Sequence, residues 1–338
     1  MSSADLFVCG GGTGGHFFSG LALAEKYLQK NPQARVVFVG TKNGIEARFK
    51  LSDPRMSVKF IAAKGVKGKG LIAKFQAIFF LILGFFESLS LLFSLKPKLV
   101  YGVGGYASVP TVFAAILFKM FGGWEVGVLE QNSSAGLANK IFSKLTKKSY
   151  AAFPCSGFEL VDLPLRSEFL AQASRARTFS WPPKVIFVLG GSQGASGINN
   201  RWIEMLSEIK KIDPKMHFIH QSGIKDFENL KKTYADLNLS AEVFAFSNEM
   251  PKFYDQADLM VCRSGAMTVF EIMAFKRPCV FIPFPAATDD HQKKNALSVQ
   301  DPAWVIDEKN FNWNSFQPIL TASSPKIPNR ASVNREII

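Results

Sequence analysis

Each half of this chain opens with an apolar run of strand length that passes directly into a glycine-rich turn and then into a helix-length segment. The first is Leu6-Phe7-Val8-Cys9-Gly10-Gly11-Gly12-Thr13-Gly14-Gly15-His16, and the second is Val188-Leu189-Gly190-Gly191-Ser192-Gln193-Gly194-Ala195. Around the first, residues 6–9, 36–40, 58–62, 99–103 and 126–129 read as buried strands alternating with helical stretches. The pattern restarts at 185–189 and continues through 216–220, 242–245, 259–262 and 279–282. Such alternation is the mark of a doubly wound parallel α/β sheet, and its restart predicts two of them in tandem. A length of 338 residues agrees, since domains usually take roughly 100–200 residues each. The boundary is expected where residues 154–166 and the polar stretch 171–184 interrupt the pattern, giving domains 1–163 and 164–338.

A third such turn, Tyr101-Gly102-Val103-Gly104-Gly105-Tyr106, follows the run at Leu99. Glycine lets the backbone approach a ligand closely, and the free N–H groups of the following helix offer partial positive charge to an anion. Three turns of this kind imply a phosphate-bearing ligand. Gly10, Gly12 and Gly15 also satisfy the dinucleotide spacing, but that fingerprint wants an acid at the end of the second strand. Here that strand ends Phe38-Val39-Gly40-Thr41, and the next acid, Glu46, lies beyond it.

Lys+Arg 40 against Asp+Glu 27 leaves a net charge of +13, so an anionic partner is expected: nucleic acid, an anionic membrane surface or a phosphorylated substrate. Neither a basic helix nor an aromatic and basic sheet motif accompanies the charge, which argues against nucleic acid. Cys9, Cys155, Cys262 and Cys279 have no paired spacing and read as small buried hydrophobes of a reducing compartment. The first residues lack the basic and apolar regions of a secretory signal, so a cytoplasmic protein is expected.

Seven segments in order resemble one family. They are residues 11–16, residues 102–110, Glu130-Gln131-Asn132 with 135–140, residues 190–195, His220-Gln221-Ser222-Gly223, residues 263–271 (RSGAMTVFE), and Asp290-His291-Gln292 with Asn295 and Ala296. Together they are similar to the MurG family, which adds N-acetylglucosamine to the lipid-linked muramoyl-pentapeptide precursor of peptidoglycan. The resemblance implies the GT-B glycosyltransferase architecture, two Rossmann-like domains facing across a cleft, and agrees with the tandem units. The chain departs from the family in carrying Leu129 where a histidine is usual and Leu163 where an asparagine is usual. Residues 321–338 are short and polar where the family has helices returning to the first domain.

The resemblance places the acceptor and membrane functions in the first domain and UDP-N-acetylglucosamine in the second. It assigns Glu271 to the ribose hydroxyls, to which a carboxylate offers two acceptor oxygens. Ser192 and Arg166 are assigned to the diphosphate, which the planar arginine fork suits, and Ser247 to uracil through its backbone. Thr13, Gly14, Gly15, Asn132, Ala266, Met267, Thr268, His291 and Gln292 complete the donor set, and Gly104, Gly105 and Tyr106 the acceptor and phosphate set. The implied reaction is an inverting displacement by the acceptor hydroxyl. His16 is the first candidate for its base, because imidazole titrates near neutrality; the same residue could instead orient acceptor phosphate. Glu130 is the second candidate. No Asp-x-Asp pair occurs, and His217 and His220, three apart on a strand, should face opposite ways, so no metal and no cofactor are expected.

The 71–95 run contains Phe75, Phe79, Phe80, Phe85, Phe86 and Phe93 and follows Lys64, Lys67 and Lys69. Its length approaches a transmembrane span, but a single crossing would separate the strands on either side of it, and Glu87 lies within it. A peripheral helix of residues 64–95 on an anionic leaflet fits both composition and charge, and an apolar core helix is the alternative. The expected location is the cytoplasmic face of a bacterial cell membrane.

Overall fold

The computed structural model describes residues 3–65, 71–191, 194–299, 303–330, 333, 335, 337 and 338, with the side chains of 71–74 also outside the description. The chain divides into two compact units, Met1–Ser167 with Val333–Ile338, and Glu168–Ser332.

The first unit runs β1 (Leu6–Cys9), α1 (Gly14–Lys30), β2 (Val36–Gly40), β3 (Met56–Phe60), α2 (Leu71–Leu95), β4 (Leu99–Gly102), α3 (Val109–Gly122), β5 (Glu125–Glu130), α4 (Leu137–Phe142), β6 (Lys148–Ala151) and β7 (Glu159–Leu160). Its strands form a parallel sheet in the order β3-β2-β1-β4-β5-β6-β7. β1 and β2 are buried along their whole length, as central parallel strands covered on both faces must be. Pro110 in the first turn of α3 and Gly123 in the left-handed region after its end bound that helix from both sides, each suited to its position.

The second unit runs α5 (Ser167–Ala173), β8 (Val185–Leu189), α6 (Ser196–Ile212), β9 (His217–Gln221), α7 (Phe227–Asp236), β10 (Ser240–Phe244), α8 (Met250–Gln256), β11 (Leu259–Cys262), α9 (Ala266–Phe275), β12 (Cys279–Phe281), α10 (His291–Leu297), β13 (Trp304–Val305) and α11 (Trp313–Leu320). The order is β10-β9-β8-β11-β12-β13, again parallel. A buried carboxylate, Asp258, collects the N–H groups of Ser180, Lys184 and Val185 and so fixes the entry to β8.

Both sheets share one winding: the first three strands step outward one way, and the fourth returns to the far side of the first. β6, β7 and β13 are two to four residues long, too short to show a period in the sequence. β3 and β10 begin at Met56 and Ser240, two residues before the expected 58 and 242. The chain leaves the first unit at Ser167. Ser167 is held there because its N–H donates to Glu25 Oε2 at 2.6 Å and its Oγ accepts from Gln29 at 2.8 Å. Val333–Ile338 return to the same unit. Tyr101 donates to Ile337 O at 3.1 Å, and Lys30 Nζ to Ile338 O at 2.7 Å.

Because β3 and β4 both belong to the first sheet, α2 leaves and re-enters one layer and does not cross a membrane. Leu92 and Leu95 face the core, and Glu87 accepts from the Ala62 N–H. The phenylalanines divide between faces. Phe75, Phe79 and Phe86 are exposed at 71%, 63% and 61%, whereas Phe85 packs inward, its ring 5.7 Å from that of Phe113. The neighbouring α3 adds Leu117, Met120 and Phe121 to the exposed apolar surface. Lys64 reaches Gln76 at 3.3 Å and lies 5.8 Å over the Phe80 ring; Lys67 and Lys69 lie outside the described residues.

Candidate functional site

In a doubly wound sheet, ligands bind beyond the strand C-termini where the order reverses. In the first unit that point lies between β1 and β4, and the turns leaving both strands meet there. Gly104 and Gly105 take φ of +87° and +79°, and their bare backbone makes room for His16. A Cβ on Gly104 would lie 2.8 Å from His16 Cδ2, and one on Gly105 would lie 3.4 Å from its Nδ1. The Tyr106 ring lies against Gly12 in the same way, 2.8 Å from a Cβ placed there. Thr13, the residue before α1, bonds His16 Nδ1 through Oγ1 at 2.7 Å. Thus Thr13, Gly14, Gly15, His16, Gly104, Gly105 and Tyr106 form one cluster at the N-terminus of a 17-residue helix.

The end of β5 joins this cluster, since the Asn139 amide lies 3.5 Å from a Cβ placed on Gly104. Glu130 is buried there, with Oε1 accepting from the Asn132 N–H at 3.0 Å and Nδ2 at 3.3 Å. Its Oε2 accepts from the Gly136 N–H at 3.1 Å and Asn139 Nδ2 at 2.9 Å. A carboxylate with four donors organises the 131–139 loop. Arg166 stays with the first unit, its guanidinium 4.5 Å over the Phe18 ring.

In the second unit the switch point lies between β8 and β11. Ser192 falls outside the described residues. Beyond β11, residues 263–265 lead into α9, whose first turns carry Ala266, Met267, Thr268 and Glu271. Glu271 is buried and accepts the Tyr254 hydroxyl at 2.7 Å. Asn295 of α10 donates to Ser264 O at 3.1 Å, which ties the helix bearing His291 and Gln292 to this turn. Gln292 Oε1 accepts the Phe284 N–H at 2.9 Å, and His291 Nδ1 bonds Thr288 O at 2.7 Å.

Arg263, quoted in a motif but given no role by sequence reading, braces the loop between these helices. It donates to Ile282 O and Pro283 O, both at 3.1 Å, pairs with Glu308, and lies 5.3 Å over the Phe284 ring. Ser247 follows β10, two strands from β8, and its Oγ accepts the Glu249 N–H at 3.0 Å. His217 and His220 face opposite sides of β9, the first bonded to Ser240 and the second enclosed by Tyr234 and Asn199.

Residues 6–151 match the glycosyltransferase family 28 N-terminal domain, and residues 185–335 the family 28 C-terminal domain. A protein of Myxococcus xanthus named UDP-N-acetylglucosamine--N-acetylmuramyl-(pentapeptide) pyrophosphoryl-undecaprenol N-acetylglucosamine transferase is 39% identical over 303 residues, 88% of this chain and 78% of that protein. Its namesake from Geotalea daltonii is 35% identical over 97% of this chain and 92% of its own length. Among solved structures, MurG of Acinetobacter baumannii superposes with a TM-score of 0.65 at 30% identity, covering 90% of this chain and 86% of that one. With both domains matched and relatives of one name aligned over most of their length, the chain belongs to the MurG family of GT-B glycosyltransferases, within glycosyltransferase family 28.

Proposed function

We propose that this protein transfers N-acetylglucosamine from UDP-N-acetylglucosamine to a polyprenyl-diphosphate-linked muramoyl-pentapeptide with inversion at the anomeric carbon. The observation that carries the reading is that each sheet brings a glycine-rich turn and a helix N-terminus to its switch point, the arrangement that receives phosphate. Two such points serve two diphosphate substrates.

In the second unit Glu271 accepts the ribose hydroxyls, with its free rotation removed by Tyr254. Ala266, Met267, Thr268, His291 and Gln292 receive the sugar. Ser192 holds the diphosphate, and the backbone at Ser247 meets uracil. In the first unit Gly104, Gly105 and Tyr106 receive acceptor phosphate beside Thr13, Gly14 and Gly15. His16 takes the acceptor hydroxyl proton as the new oxygen–carbon bond forms; the anomeric carbon–oxygen bond breaks, and its electron pair leaves with UDP. Glu130 holds Asn132 in place. The chemistry calls for no cofactor and no metal.

The polyprenyl tail of such an acceptor is membrane-bound, and the apolar surface of α2 and α3 supports a peripheral seat on an anionic leaflet, with Lys64 beside it. The experiment that tests the whole reading is transfer of labelled N-acetylglucosamine from UDP-N-acetylglucosamine to the lipid-linked muramoyl-pentapeptide by the purified chain. A product of inverted configuration is expected; hydrolysis of the donor alone, or no turnover, would overturn it.

A further inference from the structure

The motif His220-Gln221-Ser222-Gly223 holds a histidine that none of these steps uses. His220 lies in β9 with 0% exposure, and both its ring nitrogens are engaged. Nδ1 is 3.1 Å from the Tyr234 hydroxyl, and Nε2 is 3.1 Å from Asn199 Oδ1. The direction of every bond follows from its ends. Trp202 Nε1 can only donate, and gives its hydrogen to the Tyr234 oxygen at 2.7 Å. Asn199 Nδ2 faces two acceptors, Ser222 O and Asp226 Oδ2, both at 2.8 Å. Its Oδ1 is therefore what meets the imidazole, and Nε2 must carry the hydrogen. Nδ1 is left as the acceptor of the Tyr234 hydroxyl.

A single polarity thus runs from Trp202 through Tyr234, His220 and Asn199 to the backbone of Ser222, with Ser196 joining at Asp226 at 2.7 Å. Ser196, Asn199 and Trp202 lie three apart along α6, on one face of that helix. The chain of bonds ends against the glycine-rich turn. Gly194 closes that turn by donating its N–H to Gly191 O at 3.0 Å. A Cβ on Gly194 would strike Ser222 O and lie 2.7 Å from Gly223 Cα.

We propose that His220, as the neutral Nε2–H tautomer, is a positioning residue that sets the Ser222 and Gly194 backbone, beside which the donor diphosphate is received. The proposal rests on the reading of that turn as the donor site.

His220→Phe removes both bonds and keeps a planar ring, whereas His220→Gln places an amide N–H where Nε2–H stood. Donor KM and calorimetric UDP affinity are expected to weaken roughly tenfold in His220→Phe, the scale of one lost buried hydrogen bond. Acceptor KM and kcat at saturating donor should stay within about twofold, and His220→Gln should recover most of the donor affinity. A merely structural role predicts the opposite pattern, a lower melting temperature with donor KM unchanged, and that result overturns the proposal. So does equal loss in the two variants. Should His220→Phe fail to fold, nitrogen-15 spectra of the wild-type imidazole decide, because an Nδ1–H or charged ring at His220 breaks the polarity argued here. If wild-type protein binds no UDP, the donor-site reading fails, and those spectra report on the network independently.

Discussion

Tyr254 gives its hydroxyl hydrogen to Glu271 Oε2 at 2.7 Å, and Tyr254 is itself fixed from behind by Arg277, whose Nε donates to its carbonyl at 3.0 Å. The ring is enclosed by Phe169, Phe187 and Phe275. The carboxylate is therefore held in one orientation. Glu271→Ala should weaken UDP binding by about 1.5–3 kcal/mol, the worth of a hydrogen bond to a charged group. Tyr254→Phe, which removes this one donor and keeps the carboxylate, should cost about 1 kcal/mol. Calorimetry on both variants checks the order, and equal losses would mean that Tyr254 does more than orient.

His16→Ala should lower kcat by roughly 10²–10⁴-fold, the usual range for a general base, with UDP affinity nearly intact. A change confined to acceptor KM would make His16 an anchor for acceptor phosphate. Glu130→Gln sets an amide N–H against the donors that converge on that carboxylate. It should lower the melting temperature together with activity, whereas a lost base would leave stability unchanged.

Replacing Phe75, Phe79 and Phe86 with serine should release the protein from anionic vesicles while leaving its circular dichroism and melting temperature unaltered, because all three rings are exposed. Phe85→Ser should do the reverse, costing about 0.5–3 kcal/mol, because this ring is partly buried against the core. Loss of fold in the triple variant would turn α2 into a core helix.

Burial pushes the His220 imidazole down to about 3 from its usual 6.5. Tyr234 and Asn199 face the ring, and the Asp226 carboxylate behind Asn199 partly favours its charge. Between these two values the unfolded chain binds the proton and the folded chain does not, so stability rises with pH through that window and is lost as pH falls. Between pH 7.5 and 5.0 the contribution is about 2 kcal/mol. The stability that urea melts show to be lost between pH 7.5 and 5.0 should be greater in wild type than in His220→Phe by that amount, and parallel pH profiles would show that the ring is not buried neutral.

The winding of both sheets was legible because buried parallel strands such as Leu6–Cys9 and Leu259–Cys262 are written as unbroken apolar runs. The glycine turns were legible because no other residue tolerates such approach. The allocation of phenylalanines along α2 was not, since a helix apolar on every side carries no period from which to read its inner face. Nor were the partners of Glu130. They are donors from residues 132, 136 and 139, which approach the carboxylate only once the loop has folded. Asn199 and Asp226 gave no signal either, because their meaning comes from a histidine on another element.

Glu46 offers a last consequence. Its carboxylate accepts from the N–H groups of Gly12 at 3.0 Å and Thr41 at 2.8 Å, and it fills the space where a Cβ on Gly11, Gly40 or Gly44 would sit. In a mutational scan these positions should show sign epistasis. Gly40→Ala or Gly44→Ala alone collides with the carboxyl end, and Glu46→Asp alone leaves a gap, but the paired changes trade one volume for the other. Gly11 cannot share in that exchange, since its φ of +139° excludes a side chain on backbone grounds. Across sequences of this fold, residue 46 should therefore vary in step with 40 and 44, and 11 should stay glycine whatever stands beside it.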